Sequence, residues 1–203
     1  MALPIAHATA GWLLHRLDRR ETRFTGWTRA TTYMAVANLP DADFLLGFVL
    51  GTPGTFHRGV SHTLLAALVF GLLAGAVLRW CLRDRWLPAS AMLAAVYASH
   101  LLVDALTIDA RGPAGAQFLW PLSAAYYIAP VTFFGEILID GTSRLGFLAT
   151  VLAPQTLPVL LHEAAVAVAV VAAVTLAAGR RTASEGRAPA LGLAPEAGEE
   201  DCA

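Results

Sequence analysis

Charged residues are missing from long stretches of this 203-residue chain, and that pattern fixes the solvent in which it folds. Residues 59–78, 86–103, 112–135 and 164–179 run 20, 18, 24 and 16 residues without an Asp, Glu, Lys or Arg. Spanning a bilayer takes about 20 mostly apolar residues in a helix. In hydrocarbon the backbone must satisfy its own hydrogen bonds, so spans of this kind are helical. Residues 30–50 are also apolar except for Asp41 and Asp43, and residues 145–179 except for Glu163. Pro154 and Pro158 are expected to kink or divide the latter. The runs recur along the chain, so a cleaved leader does not explain them. The expected fold is all-α: a polytopic transmembrane helical bundle of four to six embedded helices with short loops, over residues 1–180.

Composition agrees. The chain is 57% apolar and 14% charged, against about 45–50% and about 25% in soluble domains. Those values exclude a disordered chain and a coiled coil. A net charge of −1 gives no field to attract a polyanion, so no direct nucleic-acid binding is expected. The two cysteines, Cys81 and Cys202, are far apart, which excludes a disulfide framework and a Cys-rich zinc site. Any metal must therefore be held by His and carboxylates.

Arginine sets the expected orientation. Arg16, Arg19, Arg20, Arg23 and Arg29 fall in one linker, Arg79, Arg83 and Arg85 in another, and Arg180, Arg181 and Arg187 follow the last apolar run. The positive-inside rule makes all three segments cytoplasmic. Residues 181–203 read as a disordered cytoplasmic tail with an acidic end. Gly71 and Gly75, in a G-x-x-x-G pattern, suit close helix packing.

Ionisable groups in lipid are costly and need compensation. This chain places His7, Asp41, Asp43, His57, His62, His100, Asp104, Glu136 and Glu163 in or beside its apolar runs. His100 and Asp104 are four apart and share a helix face. They could ligate one ion or simply bond to each other. In Asn38-Leu-Pro-Asp41-Ala-Asp43 the proline ends a helix, leaving two carboxylates to cap the next one or to hold a cation. His57 and His62 are five apart, so they can meet only if His57 lies in a loop, where Gly59 would supply the turn. Ser61 is expected to cap the following helix, with a nucleophile role as the alternative. Arg58 either snorkels to the interface or clamps an anionic group. His7 by itself reads as an ordinary buried histidine. Counting from the flanking arginines at 1.5 Å per residue, Asp41, His62, His100 and His7 fall about 14–26 Å deep, which favours one shared site.

The chain resembles the YdjM-type family of bacterial inner-membrane proteins, assigned as metal-dependent hydrolases and labelled LexA-binding. The resemblance covers about residues 1–125. It rests on His7 with Gly11, on Asn38-Leu-Pro-Asp41-x-Asp43, on His57-Arg-Gly-x-Ser-His62-Thr, on Ser99-His100-x-x-x-Asp104-x-x-Thr107 and on Leu119-Trp-Pro121. The chain departs from the family's pattern at 109–116 and in its C-terminal third. The resemblance implies a hydrolase of the bacterial inner membrane and a LexA-like cytoplasmic partner.

The reading that follows is a membrane-bound metal-dependent hydrolase. His7, Asp41, Asp43, His57, His62, His100 and Asp104 would hold one or two divalent ions. These N and O donors suit Zn²⁺ or Mn²⁺. Metal-activated water would attack an ester or phosphoester, with lipid the natural substrate class. Asp43 would serve as general base and Arg58 would neutralise a phosphate. Two rivals use the same residues differently: a metal-ion or proton transporter, and a non-catalytic scaffold that binds a cytoplasmic regulator. Glu136, His162 and Glu163 have no assigned role at this stage.

Overall fold

A computed structural model describes residues 2–21, 26–83, 85–110 and 113–185. Its described residues are all-α, as the hydropathy pattern predicts. The helices are α1 (Pro4–Leu17), α2 (Gly26–Ala37), α3 (Asp43–Leu50), α4 (Leu64–Leu82), α5 (Trp86–Ala105), α6 (Arg144–Val151) and α7 (Leu157–Glu185). Short 3-10 turns at Leu39–Ala42, Val60–His62 and Pro154–Thr156 precede α3, α4 and α7. The remainder of the expected tail, 186–203, lies outside the described residues.

Among the described residues, three helical segments are long and apolar enough to cross a membrane: Leu64–Leu82, Trp86–Ala105 and Pro154–Arg180. A fourth span arises if α2 and 39–50, bent by 60° at Asn38, are counted as one. That total reaches the lower end of the four to six expected. Their apolar side chains point outward in rows, among them Leu65, Leu68, Leu72 and Leu73 of α4 and Leu161, Val168 and Leu176 of α7. Such a surface is stable against lipid and not against water.

The run 112–135 behaves differently from the other apolar stretches. Among its described residues there is no helix, only turns and the isolated bridges Thr107–Phe134 and Ala116–Tyr127. Pro113, Gly115, Pro121 and Pro130 explain this: each proline removes a backbone donor, and Gly115 has φ +92°. The 145–179 run divides where its prolines stand, with α6 ending before Pro154.

Local signals set the helix ends that place the site. The Thr63 side chain accepts from the Ala66 N–H at 3.0 Å and caps α4. Ser61, the expected cap, falls two residues too early because α4 starts only at Leu64. Asp41 does not cap α3, whose N-cap is Ala42 with no side-chain bond. Gly51 ends α3 with φ +93°. The left-handed residue of the 57–59 turn is Arg58, at φ +61°, while Gly59 keeps a negative φ.

The core is the α4–α5 hairpin with α2 laid against it. Tyr33, Val36, Ala37, Ala67, Leu93, Val96 and Tyr97 form one buried cluster. The glycine pair sets the hairpin spacing. A Cβ on Gly71 would lie 2.6 Å from the Ala94 methyl, and one on Gly75 would collide with Ser90. α1 packs on α2 and α5, and α7 packs on α1.

Beyond the end of α1, Asp18 is buried beneath two arginines. It accepts from Arg20 Nε at 2.8 Å and from the Tyr33 hydroxyl at 2.6 Å. Burial alone would raise its carboxyl pKa, but the bonds from Arg20 and Tyr33 hold it down at about 2.

Candidate metal centre

Four chain segments converge on one cluster of imidazoles and carboxylates. α1 carries His7, the break after α2 carries Asp41 and Asp43, the loop before α4 carries His57 and His62, and α5 carries His100 and Asp104. All seven predicted residues meet there. His100 Nε2 lies 3.3 Å from Asp104 Oδ2 and 3.5 Å from Asp41 Oδ1. His62 Nε2 lies 3.4 Å from Asp41 Oδ1 and 3.6 Å from Asp104 Oδ2. His57 Nδ1 lies 3.3 Å from Asp43 Oδ1 and 3.7 Å from Asp41 Oδ1. His7 stacks on His100 with ring centroids 3.7 Å apart, and its Nε2 is 3.8 Å from Asp104 Oδ1.

The lone reading of His7 as an ordinary core histidine fails on its partners. Neither ring nitrogen of His7 has a hydrogen bond to a described residue, and the side chain is fully buried. Both oxygens of Asp41, both of Asp104 and Nε2 of His57 are likewise buried without a hydrogen-bond partner. Unpaired buried polar atoms are costly and rare. Donor atoms around a tetrahedral ion at 2.0–2.1 Å sit about 3.3 Å from one another, so the separations here suit shared ligation. Among the described residues, three sets have mutually close donor atoms: His7, Asp41 and His100; Asp41, His57 and His62; His62, His100 and Asp104.

Hydrogen bonds outside the cluster orient it. His100 Nδ1 is 2.9 Å from the Ala37 carbonyl, which can only accept, so Nδ1 carries the proton. The Ser61 hydroxyl donates to Asp43 Oδ2 at 2.8 Å and sits 3.0 Å from His62 Nδ1. With the hydroxyl proton committed to Asp43, His62 Nδ1 must donate to the Ser61 oxygen. When both rings are neutral, each turns an Nε2 lone pair inward, and these two nitrogens are 3.2 Å apart. Facing lone pairs repel; a cation between them removes the repulsion. Asp43 belongs to none of the three donor sets and instead contacts His57, His62 and Ser61.

One side of the cluster is open. The His57, Asp41 and Asp43 side chains are 12%, 14% and 8% exposed, while His7, His62 and His100 are sealed. A cleft of about 440 Å³ adjoins His57 and is lined by Arg58, Asp109, Tyr126 and Glu136. Arg58 Nη1 pairs with Asp109 and also approaches the Gly115 carbonyl at 3.4 Å. Arg58 thus stands at a cleft mouth with a carboxylate already beside it.

Three contributors were not assigned from the sequence. Ser61 orients the cluster rather than capping a helix. Tyr97 donates from its hydroxyl to the Ser61 carbonyl at 2.8 Å, fixing that loop on α5. Glu163 of α7 is fully buried and accepts from the N–H groups of Leu3 at 2.5 Å and Ala6 at 3.0 Å. α1 has no side-chain cap of its own, so Glu163 serves its N-terminus from another helix. Glu136 accepts from the Ala110 N–H, and His162 lies against Phe133 and Phe134 away from the cluster.

The model of the YdjM inner membrane protein family matches residues 1–184. A relative, the inner membrane protein YbcI of Escherichia coli (strain K12), is 36% identical over 98 residues. That alignment covers 47% of this chain and 54% of the relative, so the chain spans about half the length of the curated relative it matches. No solved structure matches.

Proposed function

The chain belongs to the YdjM inner membrane protein family, and from that footing we propose that it is a membrane-embedded hydrolase dependent on one or two divalent ions. The observation that carries the reading is the pair of Nε2 atoms of His62 and His100, 3.2 Å apart and ringed by Asp41 and Asp104 oxygens without a hydrogen-bond partner among the described residues. The donor set fits a borderline cation such as Zn²⁺ or Mn²⁺. His7, Asp41, His57, His62, His100 and Asp104 would hold it. A bound ion would supply Lewis acidity and lower the pKa of water to near neutrality.

The chain's own groups divide the remaining work. Asp43 lies outside the ion-holding sets and would take a proton at Oδ1, the oxygen that faces His57 Nδ1 at 3.3 Å. Ser61 and the Ala37 carbonyl fix the tautomers of His62 and His100. The cleft beside His57 admits a substrate, and Arg58 would meet an anionic group there such as a phosphoester. Asp109 holds the guanidinium in place until that group arrives. Since the helices lie in the bilayer, lipid esters and phosphoesters are the class with direct access. The Arg-rich linkers face the cytoplasm in this reading.

Metal analysis of the full chain purified in detergent tests it. The wild type should retain one or two equivalents, and Asp41→Ala and His100→Ala should each lose them. Full metal content in the double variant would refute the centre. Asp43→Asn should keep the metal but lose turnover of phosphoester or ester lipids in mixed micelles. Metal or proton flux through proteoliposomes without such turnover would favour transport, because a proton can also sit between the two imidazoles.

A further inference from the structure

A second feature lies away from the metal centre. A groove of about 270 Å³ runs between α2, α4 and α5. Val36, Phe70, Ala74, Leu78 and Leu93 form its apolar walls, and Arg20 and Arg29 stand at one end. We propose that this groove binds an anionic phospholipid, with an acyl chain along the apolar walls and the phosphate held by Arg20 and Arg29.

Charge and geometry select this occupant. The two guanidiniums share one carboxylate: Arg20 bonds Asp18, and Arg29 Nη1 is 3.9 Å from the same side chain. The cluster of Arg20, Arg29 and Asp18 therefore keeps one positive charge. Arg20 uses Nε and Nη2 on Asp18 and Tyr33, and Arg29 uses Nε and Nη1 on His15 and the Arg20 carbonyl. Arg20 Nη1 and Arg29 Nη2 bond no other described residue through the remaining N–H groups. An amphiphile with one anionic end and a long apolar body matches a groove polar at one end only. Apolar walls without a charged end would accept any lipid; the arginine pair makes a headgroup preference the distinguishing property.

The position keeps this lipid apart from the proposed chemistry. Val36 adjoins Ala37, whose carbonyl contacts His100, so the groove's inner end backs onto the cluster. Arg29 is seven residues earlier on α2, about 10 Å along the helix axis. A phosphate at the arginine end is therefore held away from the cluster, and the bound lipid is a resident rather than a substrate. The proposal stands whether or not the centre is hydrolytic.

Native mass spectrometry of the full chain in detergent, titrated with phosphatidylglycerol or phosphatidylcholine, tests it. The wild type should carry at least about fivefold more phosphatidylglycerol adduct at equal lipid, as expected of basic residues at a membrane surface. Arg29→Gln should equalise the two lipids, and Ala74→Phe, which fills the groove, should diminish both adducts. Equal adducts on the wild type would overturn the proposal without any variant having to fold. Unchanged adducts on a folded Ala74→Phe would overturn it as well. So would a wild-type dimer, free of lipid, that dissociates on Ala74→Phe, since the groove would then belong to a second copy. Metal content reads the other site separately.

Discussion

His100 Nδ1 donates to the Ala37 carbonyl across 2.9 Å, joining the C-terminal half of α5 to the point where α2 breaks. The Nε2 of the same ring looks into the Asp41 and Asp104 carboxylates, so the proposed ion and the helix packing would share one imidazole. Chelation should therefore cost stability. With metal at about 100 times its dissociation constant, removal should lower stability by about 3 kcal/mol, read as a fall in thermal midpoint on adding EDTA. His100→Ala should abolish that fall. An EDTA response of wild-type size in His100→Ala would place the ion elsewhere.

Ser61→Ala removes the hydroxyl that bridges Asp43 and His62. Only the 3.3 Å contact between His62 Nδ1 and Asp43 Oδ2 then holds the His62 tautomer. Metal affinity should drop by about 10–100-fold, the usual effect of losing a group that orients a ligand. Competition against a chelating dye measures it. Ser61→Thr, which keeps the hydroxyl, should recover most of the affinity.

Glu163→Ala should leave the part-buried Leu3 N–H without its acceptor and the buried Ala6 N–H with only the Leu3 carbonyl at 3.2 Å, at a cost of about 1–3 kcal/mol. His7 lies on that first turn, so metal content should fall along with thermal stability. Glu163→Gln retains one acceptor oxygen and should fall between the wild type and Ala. A stability loss with wild-type metal content would confine Glu163 to a structural role.

Acid should weaken the Arg-rich linker first. The Asp18 carboxyl is held at about 2, below its ordinary value near 4, by Arg20 and Tyr33. A depressed folded-state pKa means stability present above about pH 4 and lost as pH falls toward 2. That contribution is about 1–2 kcal/mol at neutral pH. Asp18→Asn should lower neutral-pH stability by this amount and flatten the acid limb of the stability profile. Denaturation followed between pH 2 and 7 checks both.

Much of the centre is readable along the chain because its pieces are local. His100 and Asp104 sit one turn apart, Pro40 breaks the helix beside Asp41, and the five-residue spacing of His57 and His62 requires a loop. Long-range pairings leave no such trace. Nothing in the neighbourhood of Glu163 says that its partners are Leu3 and Ala6, and Arg58 finds Asp109 across 51 residues. Residues 112–135 mislead for a different reason. Apolar content reports the medium, not the backbone conformation, and there the prolines and Gly115 decide. The same distinction explains Ser61: a hydroxyl before an apolar run reads as a cap, but a 3-10 turn shifts the helix start so that Thr63 takes that place.

The seal around the start of α1 has a practical corollary. Ala2 is fully buried, and the Leu3 amide is clasped by the Glu163 carboxylate. A purification handle fused ahead of Ala2 would have to thread out past α7 and would pry at the helix that carries His7. Material tagged at that end should therefore bind less of the proposed metal than untagged protein.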